Sequence, residues 1–309
     1  MNVTNKNNIL VIGSLNADLV VRAPRFPAPG ETIHGEDLVT FPGGKGANQA
    51  VAVARLGARV SMVGRVGKDA FGATLIDNLK QNHVNVKQII SDEVTPTGAA
   101  VIIVDSQGQN SIVLSPGANA KVIPNDIKPE AFANTSLLLV QFEIPIETVV
   151  HSANLAREKG LRILLNPAPA YTLPDELIVA ADFILPNESE LGLLTGRTLG
   201  DLTSIEAASR SLIARGARNI IVTLGANGAL IVNKDGAKHI HAYKVKVVDT
   251  TAAGDAFVGG LAVGLSNGKS LEDAVKYACA CGALAATKFG AQPSLPLTED
   301  VEIFLKRQG

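Results

Sequence analysis

Short, unbroken runs of Val, Ile and Leu alternate along this chain with longer segments that read as helices. Residues 9–13, 60–63, 137–141, 162–165, 181–185 and 220–224 are apolar runs of strand length. Between them, residues 46–56 (rich in Ala and Val), 70–81, 147–159 and 205–215 read as helices. A strand that is apolar at nearly every position is buried on both faces, as in a parallel sheet with helices on either side. The pattern predicts an α/β fold: a doubly wound, mostly parallel sheet with helices on both faces.

Two segments break this rhythm. Residues 19–41 are rich in Pro and β-formers and have no helical period. Residues 98–114 read as two strands, 99–104 and 110–114, joined by a turn at Ser106-Gln107-Gly108. Neither fits a βαβ unit, so together they are expected to form a small β-sheet lid. The first begins just past Asp18, at the carboxyl end of strand one, where open α/β sheets bind ligands. A small sheet carrying Val101, Ile103 and Val113 cannot bury both faces by itself. It must cover a ligand, pair with a second subunit, or do both.

Composition narrows the partners. Of 309 residues, 46% are hydrophobic and 18% charged, with a formal net charge of −1. Lys and Arg are scattered, which argues against nucleic acid or an anionic membrane as the main partner. No run approaches the roughly 18 apolar residues of a membrane span, and the N-terminus lacks a signal-peptide pattern. Cys279 and Cys281 stand two apart, on different faces of a helix, which disfavours a local disulfide or metal pair. A cytoplasmic, reducing location is expected.

Candidate chemistry centres on Asp249-Thr250-Thr251-Ala252-Ala253-Gly254-Asp255, which opens the apolar run 256–265. The first turn of a helix has N–H groups without intrahelical partners and a partial positive charge, so an anion is stabilised there. Asp255 beside such a site is placed to accept a proton from a group attacking the anion, which reads as phosphoryl transfer to a hydroxyl. Gly43-Gly44-Lys45-Gly46-Ala47-Asn48 is a second Gly-rich helix start, without Walker A spacing; its plainer reading is turn chemistry. Asn16 and Asp18 follow the first strand and could bind a sugar diol, or form an Asx turn.

Glu143 follows the strand at 137–141, and Asn187 and Glu190 follow that at 181–185. The plainer readings are a loop carboxylate and an N-cap with acidic first-turn residues. Thr223-Leu224-Gly225-Ala226-Asn227-Gly228 reads as a tight turn into residues 229–232. Each has a bland explanation, but their shared place at strand carboxyl ends points to one site. The five histidines show no metal spacing, and His83 and His151 read as surface helix residues. No G-x-S-x-G occurs, and Gly13 is followed by Ser-Leu-Asn-Ala-Asp rather than a dinucleotide fingerprint.

Two long segments carry a family resemblance: Gly43-Gly44-Lys45-Gly46-Ala47-Asn48-Gln49-Ala50, continuing to Gly57 and Gly67, and Asp249 to Asp255, continuing to Gly259-Gly260. With them, across essentially the whole chain, the sequence resembles the ribokinase-like (PfkB) carbohydrate kinases. The resemblance implies that residues 1–309 form a single kinase domain, with a lid from about 19–41 and 98–114, and that it phosphorylates the 5-hydroxyl of D-ribose with ATP. It implies Asp255 as general base and the backbone of Ala252, Ala253 and Gly254 as anion hole. Asn16, Asp18, Gly44, Lys45, Gly46, Ala47, Asn48 and Glu143 would hold the sugar. Asn187, Thr223, Gly225, Ala226, Asn227 and Gly228 would line the nucleotide site, with Glu190 organising Mg²⁺ and phosphate. Asp249, Thr251, Ala285, Lys288, Gly290 and Ser294 match the loops that hold an activating K⁺, and the lid matches a homodimer clasp.

Cys279 departs from the polar residue that such kinases carry near the adenine, which puts that contact in question. A kinase of 2-deoxyribose, fructose or adenosine on the same scaffold is an alternative, as is a non-catalytic sugar-binding regulator. The intact second segment and Glu190 argue against the regulator.

Overall fold

The computed structural model describes residues 8–308. Residues 1–7, most of the N-terminal segment that lacks a signal-peptide pattern, lie outside them. The strands are β1 (Asn8–Ile12), β2 (Asn16–Arg22), β3 (Val39–Gly43), β4 (Arg59–Gly67), β5 (Asn85–Asp92), β6 (Gly98–Val104), β7 (Asn110–Ser115), β8 (Thr135–Val140), β9 (Arg162–Leu165), β10 (Phe183–Ile184), β11 (Asn219–Thr223), β12 (Ala229–Asn233) and β13 (Gly236–Ile240). The helices are α1 (Lys45–Arg55), α2 (Ala70–Gln81), α3 (Ile146–Glu158), α4 (Asp175–Ala180), α5 (Glu188–Thr195), α6 (Leu202–Ala214), α7 (Ala253–Ser266), α8 (Leu271–Ala285), α9 (Ala291–Ser294) and α10 (Thr298–Gln308).

Nine strands form the large sheet in the order β13-β12-β11-β10-β9-β8-β1-β4-β5. It is parallel from β5 to β11, and β12 and β13 extend it antiparallel. Alternate residues of the central strands feed two cores. Ile9, Val11, Leu137 and Leu139 pack with α1, α7 and α8 on one face. Leu10, Ile12, Leu138 and Val140 pack with α3, α5 and α6 on the other. This two-sided burial is why β1 and β8 read as continuous apolar runs. The edge strands β5 and β13 are half-exposed and mix polar with apolar residues, so neither shows as an apolar run. The run at 181–185 contributes only the two paired residues of β10.

The small sheet has the order β3-β2-β6-β7. Its hairpin turns at Gly108, whose φ of 78° is left-handed, as the Ser-Gln-Gly signal indicated. The boundaries need correction. Residues 23–38 contribute no strand, and β2 starts at Asn16, only three residues beyond β1. Asn16 and Asp18 therefore belong to the small sheet, not to a loop ending the large one. His83 lies just past α2 in a left-handed turn rather than on a helix, whereas His151 is within α3. Among the described residues, no helix is long and apolar enough to cross a membrane.

Candidate active site

The N-terminus of α7 opens at the carboxyl end of the large sheet, with Ala252 as its cap and Asp255 in its first turn. Close packing of α1 on α7 determines what Asp255 meets. A Cβ at Gly259 would fall 2.5 Å from Cβ of Ala52, so the helices touch at a glycine. This brings α1 against the buried carboxylate: Nδ2 of Asn48 donates to Oδ2 of Asp255, and Nε2 of Gln49 to Oδ1, each at 3.0 Å. The proposed anion hole is smaller than the sequence suggests. The N–H of Ala253 donates to the Thr250 carbonyl at 3.1 Å, closing the turn. Gly254 is exposed, and its N–H finds no protein acceptor among the described residues.

Three loops meet beside Asp255. Oε2 of Glu143, after β8, accepts from the Ser14 hydroxyl and, at 3.0 Å, from the backbone N–H of Lys45. The Ser14 oxygen also accepts from the Gly46 N–H at 3.3 Å, tying the β1–β2 turn to the start of α1. Asn119 brackets Leu15, accepting from its N–H at 2.9 Å and donating to its carbonyl at 3.0 Å; it also donates to Oδ1 of Asn16 at 2.7 Å. Glycine is required where β3 enters α1: Gly44 has φ 89°, and a Cβ there would fall 2.8 Å from N of Asn16. Ala47, next along α1, is buried against the core and offers backbone only.

These ties concentrate charge. Burial, then the neighbouring carboxylates of Glu143 and Asp255, push the Asp18 carboxyl up to about 7. Burial pulls the Lys45 ammonium down, but Asp255, Glu143 and Glu190 outweigh it and hold its pKa above the ordinary lysine value.

A cavity runs from this cluster toward β11, lined by Lys45, Asn166, Ala168, Leu185, Asn187, Glu190, Thr223, Thr251, Gly254, Asp255 and Val258. Asn187 caps α5 reciprocally with Glu190: its side chain accepts from the Glu190 N–H at 2.8 Å, and Glu190 accepts from the Asn187 N–H at 2.8 Å. The capping reading is therefore correct, and both residues still face the cavity. Burial raises the Glu190 carboxyl against the pull of the Asn187 N–H and Lys45. Gly225, Ala226 and Asn227 form a 3₁₀ turn after β11. Gly228, with φ 94°, closes that turn against the Ile240 carbonyl, which a Cβ would meet at 2.0 Å. These four lie beyond the cavity lining, as does Cys279, which is buried in α8.

Asp249 joins two loops. Its Oδ1 accepts from the backbone N–H (2.9 Å) and hydroxyl of Thr251, and its Oδ2 from the Gly290 N–H at 2.9 Å. These bonds hold its carboxyl below the usual range although burial works the other way. Ala285 accepts from the Lys288 N–H at 3.1 Å, Lys288 reaches Asp300 at 3.6 Å, and Ser294 donates to the Ala291 carbonyl at 2.8 Å. Of the six residues matched to a K⁺ site, Asp249, Thr251, Lys288 and Gly290 lie in loops, while Ala285 ends α8 and Ser294 ends α9; the Asp249–Gly290 bond joins the two stretches. No cluster of three His, Cys, Asp or Glu side chains suited to a metal occurs among the described residues.

Sequence reading missed Ser14, Gln49, Asn119, Gln141, Asn166 and Gln292. Gln49 and Ser14 sit beside motifs already noticed, and Asn166 directly follows an apolar run, as Glu143 nearly does. Asn119 lies in a 3₁₀ turn with no local signal, and Gln292, in α9 between the singled-out Gly290 and Ser294, donates to Oδ1 of Asn48 at 3.1 Å.

Comparison with known proteins agrees with this geometry. The model of the pfkB family of carbohydrate kinases matches residues 6–298. The chain is 41% identical over 307 residues to a ribokinase of Schizosaccharomyces pombe, covering 96% of each chain. It is 38% identical over 301 residues to a deoxyribokinase of Salmonella typhi, covering 96% of this chain and 98% of that one. Among solved structures, an Arabidopsis thaliana ribokinase complexed with ribose and ATP superposes with a TM-score of 0.91 at 34% identity, covering 97% of this chain and 99% of that one. With these two signatures on one sheet edge and this match along nearly its full length, the chain belongs to the pfkB family of carbohydrate kinases.

Proposed function

We propose that this protein transfers the γ-phosphoryl group of ATP to the 5-hydroxyl of D-ribose, giving D-ribose 5-phosphate and ADP. The observation that carries the reading is the buried Asp255 carboxylate, held by two amide donors at the open N-terminus of α7. The cavity beside it is lined by Lys45, Asn187, Glu190 and Thr223. Each Asp255 oxygen has one amide partner, so lone pairs remain to take the hydroxyl proton. As the sugar oxygen bonds to phosphorus and the bond to ADP breaks, that proton passes to Asp255. The free Gly254 N–H and the helix dipole meet the negative charge on the transferring group.

Asn16, Asp18, Lys45, Asn48 and Glu143 hold the sugar in this reading, Asp18 accepting hydroxyl protons as a carboxylate. Asn187 and Thr223 take the nucleotide, with Gly225 to Gly228 shaping the wall behind it. Glu190 would face Mg²⁺, which neutralises phosphate charge when bound, and the Asp249 and Ala285–Ser294 loops would hold K⁺. The small sheet supports the dimer clasp: Val101, Ile112, Val113 and Leu114 are exposed on β6 and β7. Two free, buried cysteines fit a reducing cytoplasm.

A second reading, with 2-deoxyribose as the sugar, is favoured by the 38% identity to a deoxyribokinase. A coupled ADP-release assay against ribose, 2-deoxyribose, fructose and adenosine, with and without K⁺, separates these. Ribose is expected to give the highest kcat/KM, with turnover rising in K⁺. Turnover of another acceptor but not ribose would overturn the substrate and leave the phosphotransfer standing.

A further inference from the structure

The donors to Asp255 are not equivalent. Asn48 is the one assigned to the sugar in the proposed function, and it also accepts from Nε2 of Gln292 at 3.1 Å. Gln49 is fully buried, shows nothing to a ligand, and stands at the centre of a chain of amides. Its Nε2 donates to Oδ1 of Asp255 and to Oδ1 of Asn166, both at 3.0 Å. Nδ2 of Asn166 donates to the Leu185 carbonyl at 2.8 Å. Nε2 of Gln141 donates to Oε1 of Gln49 at 2.6 Å.

These contacts determine which end of each amide faces which neighbour. The Leu185 carbonyl can only accept, so Asn166 must turn its NH₂ there and its oxygen toward Gln49. That oxygen demands a donor, so Gln49 presents its NH₂ whether or not Asp255 is charged. The oxygen of Gln49 then faces Gln141, whose NH₂ fills it. The far oxygen of Gln141 is buried with no partner, the only such side-chain atom among the described residues. A Cβ at Gly13 would lie 2.1 Å from it. An orphaned buried acceptor is a cost that a neutral core would relieve by turning the amide over. Here turning it would set oxygen against oxygen at Gln49.

From this we infer that Gln49 is a positioning residue for the general base: the Leu185–Asn166–Gln49–Gln141 chain holds an NH₂ permanently against one Asp255 oxygen. The inference rests on Asp255 as general base. The held donor occupies one oxygen and orients the carboxylate's other lone pairs toward the sugar hydroxyl. Gln49 touches neither substrate. Its removal therefore acts on the protonation of the base rather than on sugar binding.

The charged groups facing Asp255 are Asp18 from β2, Lys45 from α1, Glu143 after β8 and Glu190 from α5. All remain in the variants, so a difference between variants reports on Gln49 alone. The measurement is kcat against pH at saturating ribose and ATP, for the wild type, Gln49→Leu, Gln49→Glu and Asn166→Leu. Gln49→Leu is expected to move the acid limb of kcat upward by about one pH unit, with ribose KM changing by less than about twofold. Gln49→Glu, which sets a second carboxyl against the first, is expected to move it further.

Asn166→Leu leaves the donor present but unheld; it is expected to shift the limb in the same direction by less. It stands in should the Gln49 variants fail to fold. A uniform fall in kcat with the limb unmoved would show a packing role only and overturn the inference. Asp255→Asn, run alongside, separates the two ideas. Near-normal turnover in that variant removes the base, and this inference with it. Lost turnover there, together with an unmoved limb in the other variants, removes Gln49 alone.

Discussion

Replacing Asp18 with Asn is expected to make the empty protein more stable at neutral pH while weakening its grip on sugar. Burial beside Glu143 and Asp255 raises the Asp18 carboxyl from 3.8 to about 7. A folded-state value above the unfolded one means that the native state binds the proton more tightly. Native stability therefore falls as pH rises from about 4 to 7, and above 7 the full cost of an ionised, unpaired carboxylate is present. A pKa raised that far corresponds to at most about 4 kcal/mol. Asn keeps the shape and removes the charge.

Urea unfolding of the wild type and the Asp18→Asn variant, without sugar, measures the effect. The two should be nearly equally stable near pH 4. The variant should be more stable by up to about 4 kcal/mol near pH 8. Ribose narrows the gap, because a carboxylate accepting two hydroxyls is replaced by an amide that accepts weakly; affinity should fall about a hundredfold, which at saturating ribose takes back about 2.7 kcal/mol of the variant's advantage. In the wild type, ribose KM should rise as pH falls below 7 and Asp18 takes up a proton. A stability difference that does not change with pH would refute the reasoning, since the cost is assigned wholly to ionisation.

Asp255→Asn keeps the shape and can accept from one of the two amide donors, but cannot take a proton. We expect kcat to fall about 10²–10⁴-fold with ribose affinity little changed, read by ADP release and by ribose titration. Val113→Glu places a charge in the exposed apolar face of β7. Sedimentation should show a dimer in the wild type and a monomer in this variant; the same mass for both would remove the clasp from β7.

How much of this was legible in the amino-acid order depends on how local each signal is. The central strands were readable because both faces are buried, which leaves no polar residue to interrupt them. The edge strands β5 and β13 were not, because one side faces solvent and their composition resembles a loop. Asn187 and Glu190 show a local signal with two meanings: the capping box is real, and the same residues face the cavity. Ala253 shows a local signal that the structure trims, since the N–H assigned to the anion is engaged by Thr250. Where the lid begins was hidden because three residues suffice to carry the chain from one sheet to the other.

The order of residues alone determined the sheet-and-helix layering, the two glycine-rich helix starts and the presence of a carboxylate at one of them, because each depends on neighbours within a turn or a strand. Only the tertiary structure decided which groups that carboxylate meets. Gln49 and Asp255 are 206 positions apart, and Glu143 and Lys45 98 apart. Their contacts come from α1 packing on α7 and from loops converging at one sheet edge. Hydrogen bonds and charge coupling depend on distance in space, so the raised carboxyl of Asp18 and the held amide of Gln49 exist only once the sheet is closed.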